Sequence, residues 1–152
     1  MSTKEDPQNK KPELKKFKKI TDIIPILESE EEHGKWIVDT EHKGTQNNPI
    51  QLPFVEYSKA ASMLIYAVYD CLNDLRGEMN MRNYVGVLED NGLKNGEDIL
   101  AVDSSRCDAK CTLAMILMII RQDRFSEGLL LDYLENGKML EWMKRLAEID
   151  GQ

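Results

Sequence analysis

The residues best able to do chemistry in this chain are its three cysteines, its two histidines and a run of carboxylates. Cys107 and Cys111 lie four apart, so on a helix both thiols share a face, and His33 and His42 are the only imidazoles that could complete a zinc tetrad. Structural zinc sites usually open with a short knuckle in a turn, whereas these cysteines lead into the most apolar run of the chain. Buried, small apolar cysteines are therefore expected, with no metal and no other cofactor. Glu28, Glu30, Glu31 and Glu32 precede His33, a composition that could hold a divalent cation or do acid and base work. Adjacent glutamates on an exposed segment mostly repel and stay solvated, which makes an acidic face the simpler reading. A third use lies between these two: Glu30, Glu31 and Glu32 as a dock for a basic partner, with Trp36 as its aromatic anchor. No Gly-rich phosphate loop, Gly-x-Ser-x-Gly elbow or His-Glu-x-x-His pair occurs, so the strongly patterned enzyme classes are unsupported. No catalytic residue is assigned.

The charge is unevenly spread. Over residues 1–19 seven lysines stand against Glu5, Asp6 and Glu13, a net of +4, and the chain as a whole carries −7. Residues 20–152 therefore hold 13 basic and 24 acidic residues, a net of −11, which repels nucleic acid and attracts basic partners over a Debye length of roughly 8 Å. Only Lys10, Lys11, Lys15, Lys16, Lys18 and Lys19 could favour phosphate, and Phe17 is the one aromatic among them for base stacking. If Leu14, Phe17 and Ile20 pack inward, those lysines form a wet helix face instead.

These groups must be positioned by helices. Residues 1–12 lack aliphatic residues after Met1 and read as a flexible lysine-rich arm, leaving 13–152 as one α-helical domain. Leu14, Phe17, Ile20, Ile24 and Leu27 step by three and four, with Pro25 ending that helix or opening a new one. Residues 36–38 and 50–55 suggest a minor two-stranded β-ribbon, with Pro53 confined to an edge. Ser58 N-caps a long amphipathic helix that stops at Gly77, and a shorter helix near 83–91 closes with Gly92 and Leu93. Ser105 to Asp108 matches a capping box, so a central helix is expected over about 106–123, apolar on every side from Leu113 to Ile120. Ser126 reads as the cap of the next helix, and Gly137 separates it from the last. The fold class is mainly α, with five or six helices around that central one. Eight methionines and Trp142 could serve a partner groove, but core filling is the simpler use.

With 152 residues, 41% hydrophobic and 31% charged, the chain fits one domain that can bury a core without disulfides. An odd cysteine count and no apolar stretch behind a basic start point to a reducing cytoplasm. The longest apolar run, eight residues, falls short of the ~20 that span a membrane.

Gly34 to Asp39, Pro49 to Ser58, Arg124 to Leu130 and the triplet Glu135-Asn136-Gly137 resemble a bacterial family of unknown function, over about residues 24–150. The resemblance implies a bacterial or mobile-element origin and brings no established activity. Its polar positions with no plain packing role are Asp39, Gln51, Arg121, Arg124 and Glu127, where a shared pocket would lie. The first functional expectation is a small acidic cytoplasmic module that binds a protein with a basic surface, as an adaptor or an inhibitor. One alternative is nucleic-acid contact through the lysine arm. The other is an enzyme whose Arg121 and Arg124 grip a small anionic substrate beside Asp39 and Glu127.

Overall fold

A helix that is apolar all round must be enclosed, and the chain is built to enclose one. A computed structural model describes residues 15–151, so the arm over 1–12 lies outside the described residues. Its elements in order are α1 (Lys18–Thr21), α2 (Ile24–Ser29), β1 (Gly34–Ile37), β2 (Phe54–Tyr57), α3 (Lys59–Leu75), α4 (Tyr84–Asp90), α5 (Gly96–Ala101), a 3-10 turn (Ser104–Arg106), α6 (Ala109–Gln122), α7 (Leu129–Glu135) and α8 (Lys138–Ile149). The result is mainly helical with one small antiparallel sheet, a single compact domain.

The centre is α6, on which Cys111 through Leu117, Ile119 and Ile120 are all buried. It packs against α4, α7 and α8, and α8 in turn meets α1 and α2. Met115, Met139 and Met143 are fully buried there, and Trp142 lies buried with its ring centroid 5.5 Å from that of Tyr133. These three thioethers and the indole are therefore core filling. Phe17 is buried too, and the N–H groups of Lys16 and Phe17 donate to the Asp150 carboxylate at 3.2 and 2.9 Å, tying the start of α1 to the end of α8.

Several stop and start signals act as the sequence suggests. Ser58 Oγ accepts from the Ala61 N–H at 3.1 Å, Pro25 sits in the first turn of α2, and Gly92 closes α4 at φ +76° with Leu93 donating back to Leu88. Others differ. The helix expected from Ser105 begins at Ala109, because Asp103 captures both the N–H and the hydroxyl of Ser105 in the 3-10 turn, while Asp108 caps α6 by accepting from Cys111. The next helix is entered through Gly128 at φ +88°, not through a Ser126 side-chain cap. Both strands shift from the expected 36–38 and 50–55, since Pro53 cannot join a ladder and Asp39 draws the Gln51 N–H away from it. The short helix α5 adds to the expected elements; Asn95 caps it by accepting from Asp98 N–H, and Asp98 accepts from Lys94 N–H.

Truncating Ile116 to Ala removes a fully buried side chain at the hub. We expect it to cost about 2–5 kcal/mol in urea unfolding. Leu52→Ala, at 80% exposure, should stay within about 0.5 kcal/mol. Equal losses at the two positions would contradict this account of the core.

Candidate functional site

Short two-stranded ribbons are marginal alone, so the chemistry that anchors this one decides what its end presents. In β2 the Val55 N–H donates to Glu127 Oε1 at 2.8 Å. The Tyr57 hydroxyl donates to Asp123 Oδ1 at 2.7 Å and accepts from the Leu131 N–H at 3.2 Å, and Asp123 Oδ1 also accepts from the Leu130 N–H at 3.0 Å. Asp123 thus caps the first turn of α7 and holds the ribbon to it with one carboxylate. Burial and the adjacent Asp123 carboxylate push the Tyr57 phenol well above its ordinary range, which keeps it a neutral donor. Gly128 is buried against the Trp36 ring, so a β-carbon there would collide with the indole.

Glu30 is turned inward. Its Oε1 accepts from Ser58 Oγ at 2.6 Å and lies 3.2 Å from His33 Nδ1, and its Oε2 accepts from the Ala60 N–H at 3.2 Å. Burial pushes this carboxyl up, but the bonds from Ser58, His33 and Ala60 outweigh it and hold the group below its ordinary value. Glu30 is therefore a strut at the start of α3, while Glu31 and Glu32 are exposed.

Asp39 organises the loop between the strands. It accepts from the N–H groups of Gln51 at 2.7 Å, Glu41 at 3.0 Å and His42 at 3.1 Å, and from His42 Nδ1 at 2.7 Å. Its side chain is 6% exposed. The bond from Gln51 N–H, then that from the His42 ring, hold its carboxyl far below the usual range. An isolated bridge between Thr45 and Asn48 closes the tip.

Three of the five expected polar positions are taken up by the backbone of the ribbon end. Asp39 is occupied by the loop, Gln51 contributes its backbone to that loop, and Glu127 is bound to β2. Arg124 is exposed beyond the end of α6. Arg121 stands apart from these four, its guanidinium carbon 5.7 Å from the centroid of the Tyr84 ring. It lines a surface cavity of about 470 Å³ together with Arg76 and Arg82. Arg76 and Arg82 had no sequence signal, because nothing in their spacing joins the end of α3 to the end of α6.

The lysines of the proposed nucleic-acid contact are partly spoken for. Lys16, Lys18 and Lys19 pair with Glu78, Asp22 and Asp74 at 2.6, 2.7 and 2.7 Å, while Lys15 is exposed. Lys10 and Lys11 lie outside the described residues. Cys107 and Cys111 are buried; burial pushes the Cys111 thiol up to about 12 and raises Cys107 as well, so neither is a ready thiolate. Among the described residues no three His, Cys, Asp or Glu side chains are grouped to hold a metal ion, and no helix is long and apolar enough to cross a membrane.

Fold and site together define a small α-helical domain that presents a stapled ribbon end. The chain belongs to the family of unknown function DUF6508, whose model matches residues 12–152. No curated protein and no solved structure matches it.

The folded value of Asp39 lies below its unfolded one, so the stability it lends the loop is full above the ordinary carboxylate range near ~3.9. That contribution is lost as pH falls through the lower, folded value. A carboxyl-carbon NMR titration should therefore place the Asp39 midpoint well below the other aspartates, with the Gln51 amide still protected at about pH 4. A midpoint near ~4 would contradict the staple.

Proposed function

We propose that the protein is a binding module that docks another protein through its ribbon end, as an adaptor or an inhibitor. The observation that carries this reading is the set of exposed large apolar side chains on the ribbon and on the segments bonded or packed to it. Trp36 and Val38 lie on or beside β1, Ile50 and Leu52 (80% exposed) in the loop, and Phe125 (84% exposed) in the turn leading to Gly128. Exposed apolar groups placed together on a surface rimmed with charge favour an interface.

Two further features support it. The loop carrying Ile50 and Leu52 is held by the Asp39 bonds, so ordering it on binding costs less entropy than closing a free loop. The rim is acidic: residues 28–58 carry seven carboxylates against Lys35 and Lys43, and Glu31, Glu32 and Glu56 are exposed. The partner that fits is a protein with an apolar cleft inside a basic border, attracted at long range and held by the apolar contacts. Glu30 contributes by setting the backbone of this end, not by touching the partner.

The test is a pull-down of the full chain from host extract, repeated with paired variants. Leu52→Asp with Phe125→Asp should weaken recovery of the bound protein by at least about thirtyfold, as loss of a hot spot does. Leu100→Asp, at an exposed position of α5, should leave recovery unchanged, and Glu31→Gln with Glu32→Gln should reduce its salt dependence. Retention by the Leu52 and Phe125 pair would overturn the proposal.

A further inference from the structure

Away from the ribbon, three arginines line one cavity in an otherwise acidic body. Arg76 follows the last residue of α3, Arg82 lies in the connection to α4, and Arg121 is in the last turn of α6. Guanidinium groups stay charged at any physiological pH, so grouping three of them costs mutual repulsion unless negative charge arrives. Among the described residues no carboxylate lies within 4.0 Å of any of the three, although Lys16, Lys18, Lys19, Lys144 and Arg145 each have one. The surrounding residues 20–152 carry a net −11, so carboxylates were available and none is placed here.

The rest of the cavity is suited to a small molecule. Asn73 and Asn80 stand beside the arginines, and Asn80 Oδ1 is taken by the Arg82 N–H at 2.9 Å, which leaves its amide nitrogen as a donor. Leu72, Met81 and Leu117 supply apolar wall, of which Met81 and Leu117 are buried. Arg121 is already aligned over Tyr84, so part of its rotamer entropy is lost before any ligand binds. The volume of about 470 Å³ lies in the range of small-ligand pockets.

We infer that this cavity binds a small anion carrying two linked phosphates. One carboxylate occupies a single arginine fork, whereas the non-bridging oxygens of a diphosphate are numerous enough to engage three forks and two amides. A polymeric polyanion is disfavoured, because the acidic body around the cavity would repel the phosphates that extend beyond it. Free pyrophosphate and a nucleoside diphosphate share the recognised chemistry, the second adding a ring for the apolar wall.

The experiment is calorimetric titration of the full chain with pyrophosphate, ADP, adenosine, citrate and a single-stranded RNA at fixed ionic strength. Pyrophosphate, ADP or both should bind, with ADP tighter if the ring reaches the wall and equal if it does not. Arg121→Gln and the Arg76→Gln, Arg82→Gln pair should each weaken binding at least tenfold. All three side chains are exposed, so unchanged circular dichroism and Tm in these variants confirm that the fold is kept. Arg121→Lys, which keeps charge and loses the fork, should weaken binding as well. The proposal is overturned if neither diphosphate binds at millimolar concentration, if the variants bind as well as the wild type, if citrate matches pyrophosphate, or if RNA alone binds.

Discussion

Everything else in the molecule follows from enclosing α6. A helix with nine buried residues in fourteen can face water only near its ends, so α4, α7 and α8 lie around it and α8 in turn meets α1 and α2. This explains why Met115, Met139, Met143 and Trp142 are consumed by the interior, and why the thiols of Cys107 and Cys111 are raised.

The ribbon is anchored just past the C-terminal end of α6. Asp123, one residue past the helix, caps α7 and anchors Tyr57, and Glu127 takes the outward N–H of Val55. A half-buried tyrosine hydroxyl that donates to one group and accepts from another is costly to disturb, since a partner left unpaired forfeits up to about 1–3 kcal/mol. The ribbon is thus fixed by polar bonds of defined direction, with Val55 buried and Trp36 exposed. Arg121 leaves the same end of α6 toward a different wall, beside Arg76 and Arg82. One helix therefore positions two separate surfaces.

Much of the fold was legible because the deciding signals are local. Ser58, Pro25 and the Gly92-Leu93 pair act through their immediate neighbours, and the apolar run from Leu113 to Ile120 announces burial without reference to any other segment. Legibility failed where two local signals competed. Asp103 outbids the helix for Ser105, and a glycine at φ +88° opens α7 where Ser126 was the obvious cap. The site was less legible still. Glu30 looks like one of four solvated glutamates until Ser58 and Ala60 are brought to it from 28 and 30 residues away. Asp39 and Glu127 were singled out as polar positions without a packing role, and each satisfies backbone donors, a role that spacing cannot express. Trp36, Glu31 and Glu32 are exposed.

The central claim is that the ribbon end is the face that meets a partner. The most direct measurement is amide hydrogen exchange of the full chain with and without the protein it retains. The account predicts added protection at residues 36–38, 50–52 and 124–126, with α5 and the outer face of α8 unchanged. Protection confined to α5, α8 or the arginine-lined cavity, with the ribbon end exchanging as in the free chain, would contradict it.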